Sequence, residues 1–137
     1  MNYWLIKSEP VKYPWEQLVS DGETFWDGVR NYGARNNLKA MKKGDLLLYY
    51  HSNDGLQIVG IAKVTKEHFP DTTIDDETWV AINVKPVKPL KKFITLKQIK
   101  ADTILKDMAL VKLSRLSVSP VKVEEFDRIL LLSETKL

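Results

Sequence analysis

The sequence predicts a mixed α+β domain built around a small, curved sheet or barrel. Three observations carry this reading: about five strand-like runs with short helical stretches between them, one tight hairpin signal, and no regular β-α-β alternation. The chain has 137 residues, 44% of them hydrophobic, which suits one domain, 1–137, with one real core.

Residues 2–7 (NYWLIK) are rich in β-forming side chains and read as the opening strand. Pro14 suits the first position of a helix, Trp15 and Leu18 lie three apart, and Asp21-Gly22 closes that short helix. Tyr32 to Met41 predicts a second short helix with Leu38 and Met41 inward and Lys42-Lys43-Gly44-Asp45 as its turn. LLLYYH, residues 46–51, is a continuous apolar run of strand length, hence a strand buried on both faces. Asn53-Asp54-Gly55 then predicts a hairpin joining 46–51 to 56–65.

Further along, Val80, Ile82 and Val84 alternate with Trp79, Ala81 and Asn83, the period of a strand. Thr95 can cap a helical stretch through Ile99, and Ile104 to Leu110 offers another turn or two. SRLSVSPV, residues 114–121, is extended and closed by Pro120. The last element is a helix over 122–132 with Val123, Phe126 and Leu130 on one face.

Composition excludes several chemistries. There is no cysteine, so disulfides, thiolate catalysis and thiolate-bound zinc are ruled out. His51 and His68 are the only histidines and have no metal-ligand spacing, while Asp71, Asp75 and Asp76 lack the pattern of a calcium loop and read as a solvated turn. Neither a Gly-x-Gly-x-x-Gly nor a Walker lysine motif is present, so no cofactor is expected. Ser8 or Ser52 beside His51 lacks the elbow of a serine hydrolase. No run of apolar residues reaches membrane-spanning length, and a cytoplasmic, reduced setting is the expectation.

Net charge is +3, too small to name a partner. Its distribution is more informative: Lys85, Lys88, Lys91 and Lys92, with Lys97 and Lys100, fall in a segment without acids. Such a segment is either the electrostatic footprint of a nucleic-acid binder or a solvated lysine-rich connection.

The stretch FWDGVRNYGARNN, residues 25–37, carries large functional side chains without an amphipathic period. Singly, each has a plainer reading: Trp26 as a core aromatic, Asn31 and Asn37 as helix caps or turn residues. Those readings weaken because all must hold within one short stretch. With Ser8, His51, Ser52, Arg115 and Ser117, the set suits a planar ring stacked on an aromatic, its edge read by amides and hydroxyls, its phosphates held by arginine.

YWLIKSEP at 3–10, WDGVRNYGARNNLKAMKKGD at 26–45, YYHS at 49–52, IVGIAKV at 58–64 and SRLSVSPV at 114–121 together resemble the EVE-domain family of the PUA-like superfamily. The resemblance spans nearly the whole chain, with departures at Gly33, where relatives often carry glutamine, and at Phe126, where tryptophan is frequent. It implies a PUA-like pseudo-barrel of five or six mostly antiparallel strands with short peripheral helices. It also implies a pocket for a modified nucleobase of the 5-methylcytosine type, flipped from DNA or RNA, without catalysis.

Carried over, the pocket residues are Lys7, Ser8, Glu9, Trp26, Val29, Arg30, Asn31, His51, Ser52, Arg115, Leu116 and Ser117. Arg35 fits the motif too, either in the pocket or fixing its loop. Lys85, Lys88, Lys91 and Lys92 are the candidates for the nucleic-acid backbone, and a partner protein would supply any effector function. The competing readings are a small hydrolase acting on a modified base, with Lys7 and Glu9 as its acid–base pair, and a structural RNA-binding module.

Overall fold

The computed structural model describes all residues, Met1–Leu137. In chain order the elements are β1 (Tyr3–Ser8), α1 (Trp15–Asp21), β2 (Thr24–Trp26), α2 (Tyr32–Ala40), β3 (Leu46–His51) and β4 (Gln57–Pro70). There follow β5 (Val80–Thr95), α3 (Leu96–Ala101), α4 (Ala109–Lys112), β6 (Val118–Val121) and α5 (Val123–Leu132). The strands form one sheet in the order β2-β5-β4-β3-β1-β6. All neighbours run antiparallel except β1 and β3, which are parallel with Tyr3 opposite Leu46 and Ser8 opposite His51.

β3 shows why the sheet has two cores. Successive side chains of a strand point to opposite faces. Leu47 and Tyr49 therefore enter one core with Trp4, Ile6, Ile82 and the inner sides of α1 and α2. Leu48 and Tyr50 enter the other, with Leu5, Ile58, Ile94 and residues of α3, α4 and α5. Each fully buried side chain of this kind contributes roughly 1.5–3 kcal/mol. A strand apolar on both faces is what such a sandwich needs.

The predicted hairpin joins β3 to β4 through Asn53 (φ 65°) and Gly55 (φ 88°). α2 is also where expected, with Leu38 and Met41 fully buried, and Thr95 caps α3 in a reciprocal pair with Gln98. Six details differ. α4 begins at Ala109 and not at Ile104. Residues 113–115 form a turn, so the run expected to be extended over 114–121 becomes a strand only from Val118. Pro14 stands at the N-cap of α1, one position before the first helical residue. The lysine-rich segment is no connection: through Lys92 it is the second half of β5, accommodated by register shifts opposite Pro86 and Pro89, which cannot donate to the ladder, and Lys97 and Lys100 lie on α3. α5 buries Phe126 and Ile129, while Val123 is exposed, so its inner face is turned from the one expected. β2 was not legible at all, being three residues paired to β5.

The sheet is not closed, because β2 and β6, its two edge strands, do not pair. Both are short, and β6 carries Pro120, which has no N–H to offer. No helix is long and apolar enough to cross a membrane.

Candidate nucleic-acid interface

A cleft of about 630 Å³ opens where the end of β1, the residues before α1, β2 with its following loop, the β3–β4 turn and the 114–117 segment meet. Its depth is set by aromatics. Trp26, half-buried, packs on the first core and edge-to-face with Tyr49 (5.6 Å, 81°) and Tyr13 (6.0 Å, 77°). The Tyr13 carbonyl accepts from Ser8 Oγ at 2.6 Å and from the Tyr49 hydroxyl at 2.7 Å. Burial pushes the Tyr49 phenol well above its ordinary pKa, so it stays a neutral donor.

Three further bonds frame the cleft. Lys7 Nζ donates to the Ser114 carbonyl at 2.7 Å and its backbone N–H to the Ser117 carbonyl at 3.0 Å, which straps the 114–117 segment onto β1. Burial lowers the Lys7 pKa. His51 Nε2 accepts the backbone N–H of Trp15 at 3.1 Å, a donor that Pro14 has no side chain to satisfy. Burial lowers the His51 pKa and favours this neutral, accepting form.

The loop after Trp26 is organised from below by Asp71. This carboxylate is buried and accepts from the Gly28 N–H (3.0 Å), Arg30 Nη1 (2.9 Å), and the N–H and hydroxyl of Thr73. Burial works to raise its pKa, but these hydrogen bonds outweigh it and hold the group far below the usual carboxylate range. Asp71 is thus not part of a solvated turn, as its acidic neighbours suggested. Gly28 has φ 77°, a backbone that only glycine adopts without strain.

A family model for the EVE domain matches residues 2–132. The chain belongs to the EVE-domain family. Mouse thymocyte nuclear protein 1 is 40% identical over 169 residues, covering 98% of this chain and 75% of the mouse protein. The crystal structure of human THYN1 protein in complex with 5-methylcytosine-containing DNA superposes with a TM-score of 0.93 at 36% identity, covering 100% of both chains. A YTH domain of Zygosaccharomyces rouxii MRB1, crystallised with N6-methyladenosine RNA, matches with a TM-score of 0.62 at 15% identity over 99% of this chain and 88% of that one, a likeness of fold. The PUA-like expectation for the architecture holds.

In this EVE domain the residues expected from sequence separate into two groups. Lys7, Ser8, Glu9, Trp26, Val29, Arg30, Ser52, Arg115 and Ser117 line the cleft. Asn31, Arg35, His51 and Leu116 stand outside it. Asn31 Oδ1 caps α2 by accepting the Ala34 N–H at 3.0 Å. Arg35 donates to Asn36 and to the Thr78 carbonyl and lies 5.1 Å over the Tyr32 ring, so it fixes the loop. Leu116 packs on the first core.

Within the cleft most charges are already engaged. Glu9 pairs with Lys12 at 3.6 Å, not with Lys7, so no Lys7–Glu9 acid–base pair forms. Arg30 belongs to Asp71. Arg115 is exposed and has no ion-pair or hydrogen-bond partner. Lys85, Lys88, Lys91 and Lys92 lie on β5 outside the cleft, and the last two pair with Glu134. The sequence missed Tyr13, Thr24, Phe25, Asp27, Asn53 and Ser114 as lining residues. Asp27 sits between Trp26 and Gly28 in the 25–37 stretch, the one signal that could have found it.

Proposed function

We propose that this EVE domain is a non-enzymatic reader that takes a modified base of the 5-methylcytosine type out of a nucleic-acid strand and holds it beside Trp26. DNA is the first host to test and RNA the second. The observation that carries this reading is a cleft of about 630 Å³ whose wall is an aromatic on the core and whose rim is polar. That volume is within the usual range for a small-ligand site. The human relative crystallised with 5-methylcytosine-containing DNA supports it across the full length of the chain.

Extraction of a base costs a few kcal/mol, and stacking on an aromatic returns about 1–3 kcal/mol. Arg115, exposed at the rim, supplies a guanidinium for the flanking phosphate. The groups that could serve catalysis are engaged elsewhere. Ser8 donates to a backbone carbonyl, His51 Nε2 accepts a backbone N–H, and Lys7 donates to another carbonyl. With these three groups engaged, binding itself is the output, passed on to a partner protein in the cytoplasm.

Fluorescence anisotropy with single- and double-stranded oligonucleotides, identical but for one 5-methylcytosine, tests the reading. We expect roughly tenfold tighter binding of the modified strand, worth about 1.4 kcal/mol. Equal affinities for modified and unmodified strands would refute it.

A further inference from the structure

We propose that Asp27 is the residue that lets this cleft accept 5-methylcytosine and reject thymine. The inference rests on the modified-base reading above and deepens it. The two bases share ring shape and the C5 methyl group, so a wall that stacks the ring and a pocket that fits the methyl admit both alike. Thymine is an ordinary component of DNA and outnumbers the modified base, so a reader that cannot reject it reads nothing.

The bases differ along one edge. The cytosine ring presents a 4-amino donor where thymine presents the O4 acceptor. The discriminating group must therefore accept and not donate, which among side chains describes an ionised carboxylate and no carboxamide or hydroxyl. Two carboxylates line the cleft, Glu9 and Asp27. Glu9 is paired with Lys12, whereas Asp27 has no ion-pair or hydrogen-bond partner.

Position favours the same residue. Asp27 directly follows Trp26, so the stacking wall and the acceptor lie on consecutive residues. The backbone is held on both sides, by the packing of Trp26 on the core and by the bond from the Gly28 N–H to buried Asp71 at 3.0 Å. A carboxylate on a held loop accepts the 4-amino hydrogens when cytosine enters. With thymine a carboxylate placed at the 4-position meets O4, loses its water and gains no donor at that position, since the N3–H lies one atom further along the edge, and the close O4 is a built-in repulsion.

The test uses the intact chain and single-stranded oligonucleotides carrying 5-methylcytosine, cytosine or thymine at one position, so that pairing plays no part. Wild type should prefer 5-methylcytosine over thymine by roughly tenfold to a hundredfold, the range of one good base-edge pair. D27N offers an amino group beside its carbonyl and can face either edge. It should bring the 5-methylcytosine and thymine affinities within about threefold of each other, while the preference over cytosine, which reads the methyl, stays as in wild type. D27A should lose affinity for 5-methylcytosine. Because Asp27 is exposed, both variants should melt with wild type.

Wild type that binds 5-methylcytosine and thymine equally, or D27N that keeps the wild-type ratio, overturns the inference and leaves the reader standing. Wild type with no preference for 5-methylcytosine over cytosine overturns the reader, and the inference with it.

Discussion

Trp26 is half-buried, packed against Tyr13 and Tyr49 and also exposed to the cleft, so one ring serves both core and site. Trp26→Ala should therefore lower stability by about 1–3 kcal/mol, less than the 3–5 kcal/mol of a fully buried tryptophan. It should also weaken binding of a modified strand by roughly tenfold or more, because the stacking face goes with it. Thermal unfolding and titration on the same variant separate the parts. A lowered melting point with wild-type affinity would confine Trp26 to the core. Asp71 gives a second expectation at this scale. Its native pKa lies below the unfolded value of about 3.9, so its contribution is complete above that pH and is lost as acid protonates the folded form. Asp71→Asn should flatten stability against pH below about 4, read by urea unfolding across that range. An unchanged acid limb would mean that other carboxylates set it.

Among elements, α1 depends on its neighbours because seven residues are too few to be stable alone. It is held by Trp15, whose ring lies where a side chain on Gly60 would be: a Cβ there would come within 2.7 Å of the indole. Gly60→Ala should push Trp15 off the sheet and cost about 1–3 kcal/mol, measurable as a fall in denaturation midpoint. Stability kept at the wild-type value would mean that α1 shifts freely. This contact also marks the limit of what sequence shows. β3, its hairpin with β4, α2 and the capped α3 were legible because each is specified by residues close in the chain. β2 was not, since three residues become a strand only where β5 offers a partner. The role of Asp71 was hidden for the same reason: its partners Gly28 and Arg30 lie more than forty positions away. The site motif was legible as a motif, but its division into cleft-lining Trp26 and Arg115 and loop-fixing Asn31 and Arg35 required the fold.

For the molecule as a whole, the question is where a strand's phosphates run. The sequence offers two basic regions, the lysines of β5 and the arginine at the cleft rim. The lysines of β5 are drawn toward the C-terminal residues: Lys91 and Lys92 pair with Glu134, and Lys88 Nζ donates to the Lys136 carbonyl. These exposed pairs are individually weak, yet they place an acid beside the lysines and away from the cleft. Arg115 has no such neighbour and sits at the rim. Each phosphate neutralised releases a counterion, so the slope of log affinity against log salt counts the contacts, close to one per phosphate. Arg115→Ala should lower that slope by about 1 and weaken modified and unmodified strands by the same factor, since a phosphate contact carries no base information. Joint neutralisation of Lys91 and Lys92 should change the slope less than the single arginine does, because Glu134 already offsets part of their charge. Titrations of wild type and both variants at several salt concentrations decide the path. If the lysine variant lost the larger slope, the strand would run along β5, and the rim of the cleft would contact the base alone.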